Sequence, residues 1–219
     1  MPSWYTRISL DRSIWSYSRV QRLVGAVIRN RKYQFLLAHD RYEYVNIGCG
    51  PFLLEGFYNI DWVWRPNVYC FDITKGIPIP DASVRGIFSE HCLEYLKPPR
   101  LLEVLKDFHR MLRPGGIARI VLPDGGLYCR LYVQAMRGEP VTWPYPEPGK
   151  TPIYYVNRIM TDYGHYIGFI YDFETLRQMM LAAGFREVNR ETYKRGRDPK
   201  LLADQEHRAI ESFYAEGIR

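Results

Sequence analysis

Two glycines close a short apolar run in Asn46-Ile47-Gly48-Cys49-Gly50. A strand that ends this way lets a ligand approach the backbone where a Cβ would collide, and open parallel sheets bind ligands at the carboxyl ends of their strands. Four more apolar runs end in polar residues: Phe57–Ile60 in Asp61, Val68–Phe71 in Asp72, Val84–Phe88 in Ser89-Glu90-His91, and Ile117–Leu122 in Pro123-Asp124. The recurrence puts all of them on one rim. Asp61 and Asp72 can accept hydrogen bonds from a ligand or simply cap their own loops. His91, Asp124 and His165, the last within Tyr163-Gly164-His165-Tyr166, are the candidate general bases. His91 can equally cap a helix, and Cys49 packs beneath a ligand in this reading. No His, Cys or Asp pair has metal-ligand spacing, so no metal is expected. A dinucleotide fingerprint needs glycine where Leu53 stands, and no Gly-Lys-Ser/Thr follows to make a phosphate loop.

These residues need a scaffold, and the pattern from residue 42 supplies one. Short apolar strands at Tyr42–Ile47, Phe57–Asp61, Val68–Phe71, Val84–Ser89 and Ile117–Leu122 alternate with helices, the signature of an α/β doubly wound, mostly parallel sheet. Helices are expected at Pro99–Arg113, stopped by Pro114-Gly115-Gly116, and at Thr175–Ala183, closed by Gly184. Arg186–Tyr193 and Ala209–Ala215 supply two further strands. Prolines at 140, 144, 146, 148 and 152 make 138–152 a loop, and such a loop in a compact domain is a functional lid or a disordered insert.

The charge divides the chain of 219 residues. Residues 1–42 hold eight Lys or Arg and two acids, which accounts for the whole net charge of +6, and the remainder is balanced. Tyr17, Val20, Leu23, Val24, Val27 and Ile28 share one helical arc opposite Arg19, Arg22 and Arg29, predicting an amphipathic helix over about 13–38. Residues 1–41 therefore read as a basic arm or lid on a domain spanning 42–219. No apolar run of membrane-spanning length occurs, and four cysteines without a C-x-x-C pair suit a reducing, cytoplasmic setting.

As a set, Asn46–Gly50, Asn59-Ile60-Asp61, Ile77–Ser83, Ser89-Glu90-His91-Cys92-Leu93-Glu94-Tyr95-Leu96 and Phe108–Gly116 resemble the class I S-adenosylmethionine-dependent methyltransferases, small-molecule branch. Tyr171–Leu176 with Ala182–Phe185 resembles the late helix and turn of the same branch. The resemblance implies a seven-stranded sheet with S-adenosylmethionine over the glycine loop, ribose hydroxyls on Asp61 and adenine near Asp72. It also implies that Asn46, Gly48, Cys49, Gly50, Trp62, Ile73, Ser89 and Glu90 border the cofactor. Two positions depart from the family pattern: Asn46 stands where an acid is usual, and Phe52 where a third glycine is usual. Ten residues between Ile47 and Tyr58 leave room for little more than a turn as first helix.

The resemblance implies methyl transfer to a hydroxyl of a small molecule, such as a sugar or another biosynthetic intermediate. Nucleic acid is not an expected partner, because the body is neutral and no base-methylation tetrapeptide follows the fourth strand. A nucleic-acid or protein methyltransferase recruited by the arm, and a non-methylating cofactor-binding member of the fold, are the alternatives. A homodimer and a peripheral membrane contact through the arm stay open.

Overall fold

Runs rich in β-branched and aromatic residues, broken by Gly, Pro and Asp, become seven strands: β1 Tyr44–Ile47, β2 Phe57–Asp61, β3 Tyr69–Cys70, β4 Val84–Glu90, β5 Leu112–Pro123, β6 Glu187–Glu191 and β7 Ser212–Ile218. The computed structural model describes residues 19–36, 42–161 and 168–219. The strands form one sheet in the order β3-β2-β1-β4-β5-β7-β6. The first five positions in that order run parallel, and β7 lies antiparallel between β5 and β6. Six helices accompany them among the described residues: α1 Arg19–Ile28, α2 Tyr33–Leu36, α3 Pro98–Met111, α4 Gly125–Met136, α5 Pro152–Thr161 and α6 Phe173–Ala182.

Alternation along the strands divides the core between two faces. One face turns Val45, Ile47, Ile60, Ile87 and Ile120 toward Leu101, Leu105 and Phe108 of α3 and Leu176 and Met180 of α6. The other turns Tyr44, Phe57, Phe88, Val121 and Tyr214 toward Leu201. Leu201 comes from the long connection 192–211 between β6 and β7. That connection covers this face because Gly48–Gly56, joining β1 to β2, contains turns and no helix. Asn59 ties down the short loop, its Nδ2 donating to Leu54 O and its Oδ1 accepting from Leu54 N, both at 2.9 Å.

A buried arginine seats the long connection. Arg119, in the middle of β5, donates through Nε and Nη2 to Asp204 at 2.8 and 2.6 Å and through Nη1 to Glu216 at 2.9 Å. Its two other N–H groups reach the carbonyls of Arg195 at 2.8 Å and Thr192 at 3.1 Å, so all five donors are used. Glycine is required at 196, where a Cβ would stand 2.0 Å from Glu216 Oε1.

Several expectations shift. The single helix over 13–38 is, among the described residues, two helices broken at Asn30. That residue takes φ of 64°, donates to Cys70 O at 3.2 Å and accepts from Asp72 N at 2.7 Å, so the chain turns onto the edge of β3. The parts of that helix at 13–18 and 37–38 lie outside the described residues. The last strand begins at Ser212 rather than Ala209, because Glu206–Arg208 winds into a 3-10 turn. The helix expected to run to Arg113 ends at Met111, where Leu112 turns extended and starts β5. The loop at 138–152 gives up Pro152 to the first turn of α5. The remainder of that loop is fastened rather than loose: Trp143 stacks on Tyr155 with centroids 4.6 Å apart, and Tyr145 Oη donates to His207 O at 2.7 Å.

Candidate active site

The carboxyl ends of β1, β2 and β4 open into a cavity of about 340 Å³, walled by Gly48–Phe52, Asp61, Trp62, Glu90–Cys92, Tyr95, Gln205 and Arg208. The glycine loop is bound to the strand beside it: Gly48 N and Cys49 N donate to Ile60 O at 2.8 and 3.1 Å. Gly48 takes φ of 67°, and a Cβ there would stand 2.3 Å from Cys92 Sγ, so the loops after β1 and β4 meet only because residue 48 is glycine. Asp61 accepts from Gly50 N at 2.8 Å through Oδ2 and from Val63 N at 2.7 Å through Oδ1. Each oxygen keeps lone-pair capacity for a hydroxyl donor.

Glu90 is buried at the end of β4, and burial pushes its carboxyl up against the pull of Gln205 and Arg208. Its oxygens accept from Gln205 N at 3.0 Å and Gln205 Nε2 at 2.7 Å, while Arg208 Nη1 donates to its carbonyl at 3.2 Å. His91 follows with φ of 49°, unusual for a non-glycine residue, and its Nε2 lies 2.7 Å from Ser212 Oγ. Burial pushes the Cys49 thiol up to about 12, with nearby Asp61 adding to the shift, so it is no nucleophile.

Of the residues singled out in the sequence, Gly48, Cys49, Gly50, Asp61, Trp62, Glu90 and His91 share this cavity. Asn46 borders an adjoining space of about 170 Å³ and spends its amide on Phe52 O at 3.0 Å and Asn59 Oδ1 at 2.9 Å. Ser89 is fully buried on the α3 side of the sheet, its hydroxyl without a partner among the described residues. Asp72 and Ile73 do not line the cavity. Asp72 caps the turn Ile73–Lys75 by accepting from Thr74 N at 3.0 Å, and Ile73 packs toward α3. Asp124 is also absent from the wall: it caps α4 by accepting from Leu127 N at 3.1 Å and pairs with Arg130 and Arg190, each at 3.2 Å. His165 lies outside the described residues. Pro51, Phe52, Cys92 and Tyr95 also line the wall without having been candidates, although they adjoin residues that were. Gln205 and Arg208 come from a part of the chain where the sequence placed no site residue at all. The length of the β6–β7 connection was the available signal, since strands that neighbour in a sheet rarely need so long a link.

Residues 57–120 match the family profile described as a methyltransferase domain. That span runs from β2 through most of β5 and includes Asp61, Glu90 and His91. Over that stretch, and there alone, the chain is similar to a methyltransferase domain. A curated relative, malonyl-[acyl-carrier protein] O-methyltransferase from Xylella fastidiosa (strain M23), is 32% identical over 98 residues, 44% of this chain and 32% of that protein. The chain thus spans about a third of the length of the curated relative it matches. A solved structure described as a SAM-dependent methyltransferase, possible histamine N-methyltransferase, from Thermotoga maritima superposes with a TM-score of 0.52 at 14% identity, covering 100% of this chain and 99% of that one. The likeness is one of fold. Among the described residues, no group of three or more His, Cys, Asp or Glu side chains could hold a metal ion, and no helix is long and apolar enough to cross a membrane.

Proposed function

We propose that the protein binds S-adenosylmethionine over Gly48–Gly50 and transfers its methyl group to a hydroxyl of a small molecule, a sugar or another biosynthetic intermediate. The observation that carries this reading is the pairing, in one cavity, of a glycine loop without side chains to block a ligand and a β2-end carboxylate, Asp61, anchored by two backbone N–H groups. An anchored carboxylate accepts from both hydroxyls of a ribose without having to be ordered first. The half-exposed indole of Trp62 lies beside it, its other face covered by the Arg29 guanidinium 4.2 Å from the ring centroid. That leaves a flat surface against which a purine can stack. An oxygen acceptor is supported by the curated relative, which is named as an O-methyltransferase.

When bound, the cofactor supplies an already activated methyl group, so the chain's work is alignment and proton removal. Gly48–Gly50 and Asp61 would hold the cofactor with its methyl group turned toward the acceptor hydroxyl, which must give up its proton as it is methylated. The hydroxyl proton goes to His91, which is in the cavity wall and oriented by Ser212. Asp124 is committed to α4 and to two guanidinium groups and does not line the cavity. Calorimetry with S-adenosylhomocysteine tests the reading. Binding is expected, and Asp61→Ala should weaken it by about one to two decades through loss of charge-assisted hydrogen bonds. Unchanged affinity in that variant would place the ribose elsewhere.

A further inference from the structure

The usual carboxylate of the glycine motif is absent, since Asn46 is locked to Asn59 and Phe52. A different part of the chain reaches the same cavity. We infer that Gln205 and Arg208, on the connection between β6 and β7, hold the amino-acid end of the cofactor, Gln205 Oε1 accepting from its ammonium and the Arg208 guanidinium pairing with its carboxylate. This assignment rests on the cofactor reading above and adds to it the residues that recognise the zwitterion.

Three observations support it. Gln205 Nε2 donates to Glu90 Oε2 at 2.7 Å, which fixes the orientation of the amide, and its Oε1 is buried with no hydrogen-bond partner among the described residues. An amide oxygen only accepts, so it calls for a donor. Arg208 spends Nη1 on Glu90 O and lies 3.9 Å from Glu90 Oε2, leaving its other N–H groups without a partner among the described residues. A guanidinium in that state, on the wall of a cavity, suits a planar carboxylate. The third observation is spacing. β2 and β4 flank β1, so the ends of these two strands lie on the order of 10 Å apart. That is the reach from a ribose on Asp61 to the α-carbon of a methionine beside Glu90.

The connection is seated by Arg119 and Asp204, the residue next to Gln205, so the zwitterion subsite is positioned from the middle of the sheet.

The test compares two ligands by calorimetry: S-adenosylhomocysteine, and 5′-methylthioadenosine, which keeps the nucleoside and lacks the amino-acid end. Arg208→Gln is expected to lower affinity for the first about 10- to 100-fold while leaving the second within about twofold. Arg208→Lys, which keeps the charge but not the fork, should recover part of the loss and guards against a variant that merely unseats the connection. Equal losses for both ligands in Arg208→Gln, or no loss for either, would overturn the assignment. Failure of the unmodified protein to bind either ligand would instead overturn the cofactor reading itself, and this inference with it.

Discussion

His91 occupies a left-handed backbone conformation, donates its N–H to Val121 O at 2.9 Å and sets its ring against Ser212, so three strands' ends determine where the imidazole goes. A non-glycine residue held there costs about 1–2 kcal/mol of backbone energy. Such strain at the rim of a cavity fits a residue held for chemistry. His91→Ala is therefore expected to lower turnover about 10²–10⁴-fold while S-adenosylhomocysteine affinity stays within about twofold. A steady-state assay paired with calorimetry checks both halves. Substantial turnover in that variant would leave proton removal to another group or to solvent. At this scale the sequence was most legible where a residue's job is local. Gly48, Gly50 and Asp61 sit at strand ends, and strand ends are visible in a pattern of apolar runs. Asp72 has the same local signature, yet β3 is two residues long and its exit is turned aside by Asn30, a partner 42 positions away. Nothing near Asp72 in the chain announces that contact.

Asp124 belongs to the scale of elements. α4 opens with Gly125 and Gly126, poor helix formers, so its start carries no strong helix signal in the sequence. The helix forms because Asp124 satisfies an N-terminal N–H, and because Tyr128, with Leu131, Tyr132 and Ala135, packs against Trp143 and Tyr155. Asp124→Ala should cost about 1–2 kcal/mol of stability from the lost cap, with little from the half-exposed arginines, and leave ligand affinity intact. Urea unfolding and calorimetry would show it. Loss of turnover without loss of stability would return Asp124 to the list of bases. Between α3 and α6 a second element-scale effect depends on pH. His109 lies against Gly184 and Phe185, and burial, helped by the charge of Arg219, depresses its pKa. The folded state thus prefers the neutral ring. Its contribution is complete above the unfolded pKa of about 6.5 and is lost as pH falls below it through the folded value. His109→Gln should flatten the fall in melting temperature between pH 7 and pH 5, and an unchanged slope would show that other groups carry it.

The whole molecule depends on a charge cluster with no surface exposure. Arg119, Asp204 and Glu216 are side chains of zero accessibility joined by hydrogen bonds across 85 and 97 positions of sequence. Removing the cation leaves two buried carboxylates, so Arg119→Ala should cost about 3–5 kcal/mol. It should also weaken S-adenosylhomocysteine binding in proportion to the freedom given to residues 192–211. Chemical unfolding and calorimetry measure the two effects, and a stability loss below about 1 kcal/mol would show the cluster is compensated elsewhere. The general architecture was readable from alternation and strand-end glycines, because those are short-range patterns. The cover on the β1–β2 face was not. Its replacement of a helix by a return of the chain from far downstream rests on pairings that no window of sequence contains.

The position of β7 between β5 and β6 also bears on what a shortened chain would keep. β6, at the sheet's edge, is hydrogen-bonded to β7, and the segment that carries Gln205 and Arg208 is clamped at Glu216, within β7. Without residues 212–218, β6 has no neighbour to join in the sheet and the wall formed by Gln205 and Arg208 has no anchor at Glu216. A chain cut before residue 212 is therefore expected to keep its glycine loop and to lose the anchoring of the pocket's far wall.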